Sequence, residues 1–139
     1  MIKKIVESDE VPIRFFLGGA NCGSAPFVSE DEGTELHFSK YWLSNPKDSY
    51  SVIATGDSME SAHIFAGDML VIDAGMETRD GLIIVAWLNG ELTVKRLAHD
   101  SNGVMMLVPE NSKYAPIIVS EHDEVRVLGV VTSVHRKLL

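Results

Sequence analysis

Among 139 residues there is a single cysteine, Cys22. One thiol cannot close an internal disulfide, and it suits a reducing compartment. Nor can it build a zinc knuckle, and none of the five histidines stands at H-x-x-x-H spacing, so no metal and no other cofactor is expected. No glycine cluster matches a phosphate-binding loop. Basic residues are scarce: 12 Lys and Arg against 20 Asp and Glu leave a net charge of -8. An acidic surface repels phosphate backbones, which argues against direct binding to duplex DNA. Long apolar runs are missing too. The longest, Leu82 to Leu88, is far too short to span a bilayer, and no apolar segment follows the lysines of the opening MIKKIVESDE. A cytoplasmic protein without a membrane partner is expected.

The chain is 45% hydrophobic and 23% charged, a profile of one soluble globular domain. Residues 1–35 mix small residues, two prolines and an acidic cluster with no sustained period, and are expected to form a flexible N-terminal arm. The domain is expected over 36–139. It opens with one or two helical turns in HFSKYWLSNP, where Phe38, Tyr41 and Trp42 fall on one face and Pro46 ends the run. Strands are expected at Tyr50–Ala54, Met69–Asp73, Leu82–Leu88, Leu92–Leu97, Val104–Val108, Ile117–Val119 and Val125–Val134. Several are apolar on both faces, as in a folded-over sheet. The fold class is therefore mostly β: twisted, antiparallel and barrel-like. WLNGEL is a hairpin signal, because Asn-Gly suits a type I′ turn. A two-residue loop at Asn89-Gly90 pairs Leu88 with Glu91, Trp87 with Leu92, Val85 with Val94 and Ile84 with Lys95.

Two residues draw attention as chemistry. Ser58 lies in the turn GDSM, where serine is ordinarily just turn chemistry. Lys95 lies mid-strand in ELTVKRL, on the same face as Thr93 and Leu97. Its ordinary explanation is an edge-strand lysine that discourages aggregation. The alternative is a lysine in an apolar setting, where desolvation disfavours the ammonium and frees the amine as a general base. A serine paired with such a lysine is an established variant of the serine triad. Competing nucleophile chemistries fare worse. No histidine has an aspartate three positions before it, as a GDS-type esterase would need. GDSM is not G-x-S-x-G, and the strand–helix alternation of an α/β-hydrolase is missing.

The ordered set of segments resembles the LexA/UmuD family of self-cleaving Ser-Lys peptidases. CG at 22–23 is similar to the scissile dipeptide, GDSM at 56–59 to the nucleophile turn and AGDMLVID at 66–73 to the strand after it. ELTVKRL at 91–97 carries the lysine, LVPENSKYAPI at 107–117 matches P-x-N-x-x-Y-x-P-I, and LGVV at 128–131 the closing strand. One departure is DGLIIV at 80–85, where Asp80 precedes the glycine and Leu82 takes the usual acidic place. With 21 residues ahead of Cys22, the arm is too short for a helix-turn-helix and is similar to the UmuD branch, accessory subunits of error-prone polymerases.

The resemblance implies catalytic Ser58 and Lys95, a cleavage site at Cys22-Gly23, and a turn of Gly56, Asp57 and Met59 whose backbone N–H groups, with that of Ser58, meet the oxyanion. It also implies a role in the SOS DNA-damage response, with stimulation by a RecA filament on single-stranded DNA. The shortened chain would form a homodimer and join a UmuC-like translesion polymerase. Two alternatives remain: a non-catalytic interaction subunit, or a repressor-type dimerisation domain with a vestigial Ser-Lys pair.

Overall fold

A computed structural model describes residues 2–5, 13–15, 34–36 and 38–139. The elements, in chain order, are β1 (Ile2–Lys4), β2 (Ile13–Phe15), β3 (Thr34–Leu36), helix α1 (Phe38–Trp42), β4 (Ser49–Ile53), β5 (Met69–Asp73), β6 (Ile83–Leu88), β7 (Glu91–His99), β8 (Met105–Val108), β9 (Ile117–Ile118) and β10 (Val125–His135). Short 3-10 turns occupy Pro46–Asp48 and Glu60–Ala62.

The chain divides into two compact units, Met1–Ile5 with Lys47–Leu139, and Val6–Pro46. In the second, β2 and β3 pair antiparallel, Arg14 opposite Glu35, and α1 follows. The helix expected around Phe38, Tyr41 and Trp42 is present, and the Tyr41 and Trp42 rings meet edge-on with centroids 5.0 Å apart. It ends four residues before Pro46. That proline opens the next 3-10 turn, a position where its fixed φ and missing N–H cost little.

The first unit holds an eight-stranded sheet in the order β1-β4-β5-β10-β6-β7-β8-β9, with every pairing antiparallel. The mostly β, antiparallel expectation holds. Barrel-like closure is not seen among the described residues: β1 and β9 stand at the two ends of the strand order and do not pair with each other. All seven expected strands are present, Met69–Asp73 with the same bounds and the others shifted by one or two residues. The hairpin register is the expected one, Leu88 opposite Glu91 and Ile84 opposite Lys95. Asn89 and Gly90 both take positive φ, 50° and 86°, as a type I′ turn demands. β1 was not expected. It adds Ile2, Lys3 and Lys4 to β4 opposite Val52, Ser51 and Tyr50.

β10 splices the sheet together. Its first half pairs with β6 and its second half with β5, and the register shifts at 127–129 and at 131–133. Such bulges bend a strand and raise its local twist. Gly129 sits at the first shift, where a Cβ would lie 2.7 Å from the backbone oxygen of Asp73. Only glycine lets the two backbones approach that closely.

Ile84 and Val85 are neighbours in β6, and both are fully buried. Successive side chains of a strand point to opposite faces. Val85 joins the core of Val52, Ala54, Met59, Ile64, Leu70 and Ile72, whereas Ile84 joins Ala86, Leu97, Leu107 and Val130. This two-sided burial is why the run from Leu82 to Leu88 shows no alternation. No described helix is long and apolar enough to cross a membrane.

Candidate active site

The loop between β4 and β5 is closed at its neck. Ala54 N–H donates to the Asp68 carbonyl and Gly67 N–H to the Ala54 carbonyl, both at 2.8 Å. Ser58 lies within it. Gly56 turns the chain at φ 73°, a conformation unfavourable for residues with a Cβ. The buried Met59 and Ile64 anchor the loop in the core. Beyond Ser58, Ala62 and Ile64 N–H donate to the Met59 carbonyl, at 3.0 and 3.3 Å.

A second segment, between β8 and β9, braces this turn. Glu110 N–H donates to the Ser58 carbonyl and Ser61 N–H to the Glu110 carbonyl, both at 2.8 Å. Asn111 Nδ2 donates to the Asp57 carbonyl at 2.8 Å, and the Tyr114 hydroxyl donates to the Asp57 carboxylate. The bond to Asp57 and its negative charge push the Tyr114 phenol above its usual range, so the hydroxyl stays a donor. The segment PENSKYAPI thus has a physical role: its asparagine, its tyrosine and the Glu110 backbone grip the GDS turn.

Lys95 reaches the site from β7. Its Nζ stands 3.0 Å from Ser58 Oγ, 2.8 Å from Thr93 Oγ1 and 3.0 Å from the Val94 carbonyl. Burial pushes its amine below the usual 10.5, because a desolvated ammonium is costly. The three contacts suit the neutral amine as well as the ammonium. A neutral amine donates two N–H bonds, here to Thr93 and Val94. Its lone pair is left for the Ser58 hydroxyl proton.

A cleft passes the pair, lined by Val52, Ala54, Leu92 and Val94 beside Ser58 and Lys95. A second depression shares Gly56, Ser58 and Lys95 and is walled by Pro109, Tyr114 and Ile117. β7 pairs with β8 from Arg96 onward. Among the described residues, Glu91–Lys95 therefore have a strand partner on the β6 side alone.

Ser58 and Lys95 are thus brought together, and Gly56, Asp57 and Met59 shape the turn around them. Cys22, Gly23 and most of the expected arm lie outside the described residues. Thr93 was placed on the face of Lys95 but not as its hydrogen-bond partner. Asn111 and Tyr114 appeared only as letters of a motif. The departure at DGLIIV is also accounted for. Leu82 packs against the second core, and the turn is fixed from outside it, by Arg96 Nη1 donating to the Gly81 carbonyl at 2.6 Å and by His99 Nδ1 at 2.6 Å from Asp80.

The LexA repressor of Carboxydothermus hydrogenoformans is 36% identical to this chain over 122 residues, covering 87% of the chain and 58% of the repressor. The LexA repressor of Bordetella pertussis is 36% identical over 120 residues, covering 86% and 55%. LexA repressor 2 of Pseudomonas syringae pv. tomato is 33% identical over 128 residues, covering 92% and 61%. The chain therefore spans a little over half the length of these curated relatives. The family model described as Peptidase S24-like matches residues 15–132, nearly the whole chain, Ser58 and Lys95 included, and the chain belongs to that family.

Proposed function

We propose that the protein is a serine endopeptidase that cuts its own Cys22–Gly23 bond once, with Ser58 as nucleophile and Lys95 as general base. The observation that carries this is the Lys95 amine 3.0 Å from Ser58 Oγ, with its other two contacts on Thr93 and Val94. Lys95 takes the Ser58 proton as Oγ attacks the Cys22 carbonyl carbon. Backbone N–H groups of the Gly56–Met59 turn, that of Ser58 included, stabilise the oxyanion. Collapse breaks the C–N bond, Lys95 returns its proton to the Gly23 nitrogen, and water releases the Cys22 acyl group. The one-sided edge at Glu91–Lys95 supports an extended backbone added as a strand beside the nucleophile. Gly23 and the small residues near it suit a narrow cleft.

The biological setting follows the resemblance. Cleavage serves the SOS response in the cytoplasm and is stimulated by a RecA filament on single-stranded DNA. The shortened form dimerises and joins a UmuC-like translesion polymerase. The Cys22-Gly23 dipeptide, similar to that of the UmuD branch, favours this accessory role. A second reading, a repressor-type dimerisation domain, is favoured by relatives that carry the name LexA repressor and extend beyond the matched region.

The test is mass spectrometry after incubation with RecA and single-stranded DNA. Wild type should give a product starting at Gly23, while Ser58→Ala and Gly23→Glu should stay whole. A wild-type chain that stays whole identifies a non-catalytic subunit. Co-purification of the shortened form with a UmuC-like polymerase separates the accessory reading from the repressor reading.

A further inference from the structure

Asp68 is a fully buried carboxylate, far from Lys95 in sequence and absent from the chemistry above. A buried charge needs partners, and the Asp68 carboxylate accepts three hydrogen bonds from two residues. Arg136, the residue after β10, grips it as a fork: Nε donates to Oδ1 and Nη2 to Oδ2, both at 2.6 Å. Phe65 N–H donates to Oδ2 at 2.8 Å. The same guanidinium donates from Nη2 to the His63 carbonyl at 3.2 Å and stacks over the Phe65 ring, 4.7 Å from its centroid. Arg136 therefore holds His63, Phe65 and Asp68 together, the return half of the Ser58 loop. His63 sits there as the left-handed C-cap of the Glu60–Ala62 turn, at φ 61°, its N–H donating to the Glu60 carbonyl. Asp68 also forms the loop's neck, its carbonyl accepting from Ala54, and Ile64 N–H bonds back to the Met59 carbonyl, next to Ser58.

We propose that Arg136 is a positioning residue, which clamps the nucleophile loop through Asp68, Phe65 and His63 and so fixes Ser58 against Lys95. The clamp rests on the Ser-Lys reading for its consequence, not for its geometry. A planar fork and a stacked ring are contacts that lysine does not reproduce. Arg136→Lys should therefore show a milder form of the Arg136→Ala defect.

Two measurements on the full chain test this. Hydrogen exchange, in a Ser58→Ala background that keeps the chain whole, reads the loop directly. With Arg136→Ala, the amides of Ala62, Ile64 and Gly67 should exchange roughly tenfold faster or more, while those of Ile84 and Val85 stay unchanged. Self-cleavage with Ser58 intact reads the consequence. Its high-pH plateau should fall about tenfold or more with the protein still folded, because a misplacement of about 1 Å is that costly. If Arg136→Ala does not fold, Arg136→Lys carries both measurements. Unchanged loop exchange in a folded variant, or a plateau equal to wild type, overturns the clamp. A wild-type chain that does not cut overturns the peptidase reading instead, and the exchange result still decides whether Arg136 holds the loop.

Discussion

The Lys95 amine lies 3.0 Å from the Ser58 hydroxyl, although 37 positions separate the two residues in the chain. Three tertiary features create that distance. The Asn89-Gly90 hairpin sets the register of β7 and carries Lys95 into place opposite Ile84. The closed neck at Ala54 and Asp68 holds the Ser58 loop. The Glu110–Tyr114 segment braces that loop from the side.

Thr93 should tune the lysine. Its Oγ1 accepts from Lys95 Nζ at 2.8 Å and helps to aim the amine's lone pair at Ser58. Thr93→Val removes that acceptor at nearly constant volume. Self-cleavage on the high-pH plateau should slow about tenfold, and Thr93→Ser should restore most of the rate. Single-turnover kinetics of the three chains check this.

Asp68 should make stability depend on acid. The bond from Arg136 holds its carboxyl below 3.8 despite burial, with Phe65 N–H and the guanidinium charge acting in the same direction. The folded value is the lower one, so as pH falls the unfolded chain binds the proton first. The stabilisation is fully present well above pH 3.8 and is lost as pH falls through 3.8 toward the folded value. Asp68→Asn should cost about 1–3 kcal/mol at neutral pH, less than in a fully buried pair because Arg136 is partly in water. The gap between Asp68→Asn and wild type should shrink in acid. Urea unfolding at neutral and acid pH measures it.

Much of this fold was legible in the residues, for identifiable reasons. Asn89-Gly90 fixes a turn type by backbone conformation alone, so the β6–β7 register followed from two letters. Met69–Asp73 stood out as a short apolar run between turn residues. β1 did not stand out: three residues, two of them exposed lysines, carry no period, and only pairing with β4 makes them a strand. Ser58 and Lys95 stand out as candidates through segment order and the failure of other chemistries. The contacts that aim them do not. Thr93 with Lys95, Asn111 with Asp57 and Arg136 with Asp68 are tertiary meetings, and a one-dimensional pattern holds no distance between side chains.

Gly129 should tolerate no side chain. A Cβ there would press 2.7 Å from the Asp73 oxygen, and neither backbone is free to move. Gly129→Ala should destabilise the fold by about 1–3 kcal/mol, the usual range for overpacking. Thermal unfolding of Gly129→Ala in a Ser58→Ala background would show the loss as a lowered midpoint.

The central claim is that neutral Lys95 is the base for Ser58, and the rate of unassisted self-cleavage against pH tests it most directly. Burial depresses the lysine pKa from 10.5, so the neutral fraction, and with it the rate, rises as pH climbs through the depressed value. The first-order rate of wild type should increase from about pH 7 and level off below or near pH 10.5. Lys95→Arg should be inert across the whole range, because a guanidinium stays protonated there. A Lys95→Arg chain that cuts at a rate near wild type would contradict the account and leave Lys95 an ordinary strand lysine.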